Sequence, residues 1–130
     1  MVSYWPTAGA IQEEPEIAER MNSLPKFVLS RTLSCSSWNN TQFLNGDIAS
    51  EVRKIKQSPG KCIAILGSGS IVAQLVPLGL IDEYEIVVNP VAIGRGRTLF
   101  ENIVDQLTLR LTKSRTFRNG NVLLCYERMI

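Results

Sequence analysis

The chain of 130 residues contains no histidine. That absence removes Ser-His-Asp and Cys-His catalytic arrangements, histidine-containing metal sites, and any imidazole acting as general base near neutral pH. Cysteine is scarce. Cys35, Cys62 and Cys125 are odd in number, widely spaced and without a Cys-x-x-Cys pair, so neither a disulfide framework nor a zinc ribbon is indicated. Cys62 and Cys125 sit inside apolar runs, where each is expected to be a small buried residue. No metal site is expected. No apolar run approaches the ~20 residues that span a bilayer, and the N-terminus has neither the basic region nor the hydrophobic core of a signal peptide. Charge of one sign is also lacking: 14 Lys and Arg stand against 12 Asp and Glu, interspersed, for a net charge of +2. No electrostatic footprint for nucleic acid or an anionic membrane results. The reading is a cytoplasmic chain folding as one domain over residues 1–130, long enough to bury about two-thirds of its unfolded surface.

What is present is an alternation of elements. The first dozen residues read as irregular, and an acidic helix then begins near Glu13 with Pro15 in its first turn and Ile17, Met21 and Leu24 as its apolar stripe. Pro25 ends it. Lys26 to Ser30 reads as a strand running into Arg31-Thr32, Thr41 to Leu44 as a short strand, and Asp47 as the cap of a helix that turns Ile48, Val52 and Ile55 inward. Ser58-Pro59-Gly60 stops that helix. Cys62 to Leu66 then reads as a strand covered on both faces, followed by a glycine turn, a helix with Ile71, Val72, Leu75 and Val76 on one side, and a strand from Tyr84 to Asn89. Such alternation predicts an α/β fold with a mixed, mostly parallel sheet and helices on its faces. The C-terminus departs from it. Leu107, Leu109 and Leu111 alternate with polar residues, and Asn119-Gly120 precedes the apolar run from Val122 to Tyr126, which predicts a closing antiparallel hairpin.

The turn Leu66-Gly67-Ser68-Gly69-Ser70 is the first site candidate. Gly67 and Gly69 carry no Cβ to keep an anion from the backbone, the helix N-terminus offers unpaired N–H groups, and two hydroxyls flank them. Val72 stands where a dinucleotide fingerprint needs a third small residue, and a Walker loop would need a lysine that is absent. Two readings stay open: a phosphate cradle, or a tight strand-to-helix turn that binds nothing. Ser30-Arg31-Thr32 is the second candidate, at the carboxyl end of a strand where ligands of open α/β sheets collect. A guanidinium with two neighbouring hydroxyls suits a phosphate monoester such as the 2′-phosphate of NADP; its alternative is a solvated loop arginine. Arg95 and Arg97 are candidates to meet a second anion but read as solvent-facing, Asp82-Glu83 are candidate general acids but read as a surface turn, and Trp38 is a candidate to stack on a ligand ring but reads as the cover of a sheet edge.

In chain order, Phe27-Val-Leu-Ser-Arg-Thr32, Trp38-Asn-Asn-Thr41, Gly60-Lys-Cys-Ile-Ala-Ile-Leu-Gly-Ser-Gly-Ser70, Leu80-Ile-Asp-Glu-Tyr84, Asn89-Pro-Val91, Gly96-Arg-Thr-Leu-Phe-Glu101 and Phe117-Arg-Asn-Gly-Asn-Val122 form a set spanning nearly the whole chain. That set resembles the dihydrofolate reductase-like family, specifically the RibD C-terminal (reductase) domain of riboflavin biosynthesis and its stand-alone relatives. The resemblance implies a three-layer α/β/α fold and an NADPH-dependent reductase that passes hydride to a pterin-like or pyrimidine heterocycle. It implies that Gly67, Ser68, Gly69 and Ser70, with Leu66, Ile71 and Val72 beside them, lie along the cofactor diphosphate, and that Ser30, Arg31 and Thr32 lie near the 2′-phosphate. It also implies a chain shortened at its N-terminus, because family members carry further strands and much of the substrate pocket ahead of the point matching Tyr4-Trp5-Pro6. No catalytic acid is assigned for that reason. The alternative is a non-catalytic remnant that associates with itself or a partner through an exposed sheet edge.

Overall fold

The computed structural model describes residues 1–66 and 68–130. The described chain divides into two compact units, Met1–Glu51 and Val52–Ile130.

The first unit opens with a helix where the sequence reads as irregular. Helix α1 (Ala8–Glu13) forms because the Thr7 hydroxyl accepts from the Ala10 N–H at 3.3 Å, satisfying one of the orphan donors of a helix start. Helix α2 (Pro15–Ser23) begins with Pro15 in its first turn, where a missing N–H costs nothing. The expected apolar stripe is not what packs. Ile17 and Leu24 are exposed, Met21 is half-buried, and Ala18 is the buried residue, because α1 and α2 approach through alanines. Strands β1 (Lys26–Leu29) and β2 (Thr41–Leu44) fall where the sequence places them and pair in parallel, from Lys26 opposite Thr41 to Leu29 opposite Leu44. Helix α3 (Ile48–Gln57) starts in this unit and continues into the second. The Asp47 carboxylate accepts from the Ser50 N–H at 3.0 Å, the cap expected of it, and Ala49 is buried.

In the second unit, helix α4 (Gly69–Leu75) buries Leu75 and Val76. Strands β3 (Glu83–Val88), β4 (Leu109–Thr116) and β5 (Val122–Arg128) form an antiparallel sheet in the order β3-β5-β4. The hairpin is the one Asn119-Gly120 predicts: Phe117 N–H donates to Asn121 O at 2.8 Å, and Gly120 takes φ +89°, open to glycine at little cost. A bulge between Leu111 and Lys113 leaves Thr112 out of the ladder, and its hydroxyl donates to Cys125 O at 3.0 Å. Arg128 at the end of β5 donates from Nη1 to Gly79 O at 2.6 Å, and Lys56 on α3 reaches Asp82 Oδ2 at 2.5 Å. Asp82 is on the surface as expected, but not in a turn: it lies in the irregular residues just before β3, which already begins at Glu83.

Two expectations change. Parallel pairing among the described residues is confined to β1 and β2, because β3 joins the C-terminal hairpin antiparallel to β5. The protein is thus mixed α/β, with one parallel and one antiparallel sheet. Residues 62–66 form no strand and are exposed, with Ile63 at 50% and Leu66 at 54%. A strand needs a ladder partner as well as an apolar sequence, and β3, β4 and β5 pair with one another instead. Cys62 is accordingly exposed rather than buried, and Cys125 is half-buried.

Candidate functional site

In the first unit, Ser30 follows the carboxyl end of β1. Its Oγ accepts from Thr32 N at 3.2 Å and Leu33 N at 2.9 Å, with Thr32 Oγ1 at 3.5 Å. A serine hydroxyl that accepts from the next backbone groups folds the chain into a tight turn, which here swings Arg31 and Thr32 outward. Arg31 is exposed and has no hydrogen bond or ion pair among the described residues. Its five N–H donors are therefore available to an anion, while the Thr32 hydroxyl lies 3.5 Å from that of Ser30.

In the second unit, Gly67 lies outside the described residues. Leu66 is exposed, Ser68 is half-buried at the N-cap of α4 without a side-chain cap bond, and its carbonyl accepts from Ile71 N and Val72 N, both at 3.1 Å. Ser68 Oγ and Ser70 Oγ stand 3.5 Å apart. Gly69 is exposed, and a Cβ built on it meets nothing within 4 Å, so solvent reaches the backbone there. Ile71 and Val72 are half-buried. Ser68, Gly69 and Ser70 thus share one turn, Ser30, Arg31 and Thr32 share another, and the two turns belong to different units.

The remaining candidates resolve individually. Arg97 is tied to Glu101, with Nε and Nη2 at 3.2 and 3.0 Å from one carboxylate oxygen, while Arg95 is exposed. Among the described residues no group of three or more Cys, Asp or Glu is placed to hold a metal ion. Nor is any helix among them long and apolar enough to cross a membrane.

Trp38 is more than an edge cover. Its Nε1 donates to Asn22 Oδ1 at 2.7 Å, and the Lys26 ammonium lies 4.6 Å from its ring centroid. Lys26 Nζ in turn donates to the carbonyls of Met21, Asn22 and Leu24 at 2.9, 3.2 and 2.9 Å, capping the end of α2. Desolvation holds the Lys26 pKa below its ordinary value. A cavity of about 390 Å³ opens beside the ring, lined by Pro25, Trp38, Asn40, Thr41 and Gln42. The segment Trp38-Asn-Asn-Thr41 supplies three of its lining residues and Gln42 follows directly on β2, whereas Lys26 carries no local signal and comes opposite Thr41 through the strand register. A second cavity, of about 270 Å³, lies in the other unit beside Phe100, Ile103, Asp105 and Leu107. No expected site residue lines it.

With a short parallel pair, a glycine-serine helix start and a C-terminal antiparallel hairpin, the chain is a mixed α/β protein. The chain belongs to the family of the RibD C-terminal domain, whose model matches residues 1–123. It is 35% identical over 114 residues to the uncharacterised protein YyaP of Bacillus subtilis (strain 168), covering 88% of this chain and 60% of that protein. To the uncharacterised protein YwjB of the same organism it is 32% identical over 75 residues, 58% of this chain and 43% of the relative. Among solved structures it is similar to a protein assigned to riboflavin biosynthesis from Shewanella sp. PV-4, with a TM-score of 0.68 at 21% identity over 83% of this chain and 62% of that one. A pyrimidine reductase-like protein from Corynebacterium diphtheriae aligns with a TM-score of 0.55 at 16% identity, over 80% of this chain and 49% of the other. The chain therefore spans about 60% of the length of the first of these relatives.

Proposed function

We propose that the protein is an NADPH-dependent reductase of the dihydrofolate reductase-like, three-layer α/β/α kind, acting in the cytoplasm on a pterin-like or pyrimidine heterocycle. The observation that carries this reading is the match to the RibD C-terminal domain over residues 1–123. When bound, NADPH supplies the hydride; the chain's own residues bind and orient it.

The residues present fit such a group. Arg31 offers a guanidinium unpaired among the described residues, and Thr32, the next residue in the chain, an exposed hydroxyl, to a phosphate monoester. Ser30 shapes that turn by holding the backbone of Thr32 and Leu33. On the second unit, Ser68 and Ser70 present hydroxyls beside Gly69, whose open Cα side lets a phosphate reach the backbone. Leu66, Ile71 and Val72 flank that turn, and Gly67 takes part by its position in the sequence.

Thermal unfolding with NADPH and NADH added separately tests this. At about a hundredfold excess over Kd, binding to the folded state alone adds roughly 2.7 kcal/mol, a shift of several degrees. A larger shift with NADPH is expected, and Arg31→Ala is expected to weaken NADPH far more than NADH. Equal weakening of both would take the 2′-phosphate role from Arg31. A second reading is a non-catalytic remnant that self-associates or binds a partner; what favours it is the exposed apolar segment 62–66, although that segment is not a strand and so not a sheet edge. It is the reading left if the folded protein responds to neither nucleotide.

A further inference from the structure

The cavity beside Trp38 has the composition of a ring-binding site. Its volume of about 390 Å³ falls in the range of small-molecule pockets, and its lining combines an indole and a proline with a threonine and two carboxamides. The indole is fixed at two points: its N–H is committed to Asn22 Oδ1, and the Lys26 ammonium stands against the ring. A ring held this way loses little freedom when a second ring stacks on it. Asn40 is also held. It adopts φ 57°, a left-handed conformation that asparagine tolerates, its carbonyl accepts from Lys26 N at 2.7 Å, and its Nδ2 donates to Ser23 O at 2.9 Å. That orientation leaves the Asn40 Oδ1 acceptor uncommitted among the described residues. Gln42 is exposed and carries no side-chain hydrogen bond among them, so both ends of its amide are open.

We propose that this cleft is a binding site for a neutral purine ring, stacked on Trp38 with its hydrogen-bonding edge met by the Asn40 and Gln42 carboxamides. A carboxamide matches the paired donor and acceptor of an adenine edge, and an indole offers the area a bicyclic ring needs. The site is separate from the one proposed for phosphate. Lys26 and Thr41 pair at the amino end of the parallel strands, whereas Ser30 follows the Leu29–Leu44 pair at the carboxyl end. Four residues of strand put about 13 Å between the two ends. The inference therefore does not rest on the reductase reading.

The test is adenosine titrated into the full chain carrying Trp5→Phe, which leaves Trp38 as the sole indole reporter. Saturable quenching of Trp38 fluorescence is expected. Gln42→Ala, at an exposed position, is expected to weaken binding about tenfold or more while leaving the thermal midpoint unchanged. N6,N6-dimethyladenosine, which stacks but cannot donate from the amine, is expected to bind more weakly than adenosine. Arg31→Ala is expected to leave the titration unchanged. Quenching that does not saturate by about 10 mM, indifference to Gln42→Ala, or loss on Arg31→Ala would each overturn the proposal. Because adenosine has no phosphate, none of these outcomes depends on whether NADPH binds.

Discussion

Tyr84 shows how much one side chain can report. It is 7% exposed, with its ring 5.9 Å from that of Phe100, and its phenol pKa is raised first by burial, then by Asp82, against an opposing pull from Arg128. Because the fold prefers the neutral phenol, its contribution to stability is complete below the ordinary value of 10.0 and is lost as pH climbs through the higher folded value. Thermal midpoints measured from about pH 9 to pH 11 should therefore fall, and Tyr84→Phe should flatten that fall. An equal decline in both proteins would assign it to another group. The place of Arg31 was legible: a cation just after a strand, with hydroxyls on either side, was expected on the surface, and the structure leaves it exposed and unpaired among the described residues. Cys62 was not, since its burial depended on a neighbour that local sequence does not encode.

The two glycines that bracket helix α4 answer to different constraints. Gly69 is the first residue of the helix and has open space where a Cβ would stand, so Gly69→Ala should raise stability by about 0.4–1 kcal/mol by restricting the unfolded chain. The same methyl group would cover the backbone proposed to meet phosphate, so NADPH binding should weaken while unfolding in urea shifts upward. A stabilised variant with unchanged NADPH affinity would move the diphosphate elsewhere. Gly79 adopts φ 63°, its Cβ would run into the Arg128 guanidinium, and its carbonyl accepts from Arg128 Nη1. Gly79→Ala should cost about 1–3 kcal/mol in the same urea experiment. Elements with local signals were readable: Pro25 before β1, Asp47 before α3, and Asn119-Gly120 between β4 and β5 each act over a few residues. Helix α1 escaped because its signal is a single threonine before Ala8-Gly9-Ala10. Pairing was the hardest to read. Whether residues 62–66 find a ladder partner, and whether β3 runs parallel or antiparallel, depends on chain far away in sequence.

Across the whole molecule, the buried apolar residues among those described are Ala10, Ala18, Ala49, Leu75, Val76 and Tyr84, half of them alanines. Exposed apolar residues are more numerous and larger, including Ile63, Val87, Val91, Ile93 and Val104. A heat-capacity change on unfolding scales with the apolar surface that folding hides, and a well-packed chain of this length gives about 1.6–2.0 kcal/mol/K. Calorimetry should return a smaller value; one within that range would mean that the free chain buries more than these six side chains. The antiparallel sheet has its own answer to exposure. Its outer strand β4 bears Arg110, Lys113 and Arg115 along eight residues, and Arg110 already pairs with Glu127 on β5. Two molecules that met along this border would bring like charges together before any backbone bond formed. Strand β4 thus also guards its own border of the sheet against growing into an aggregate.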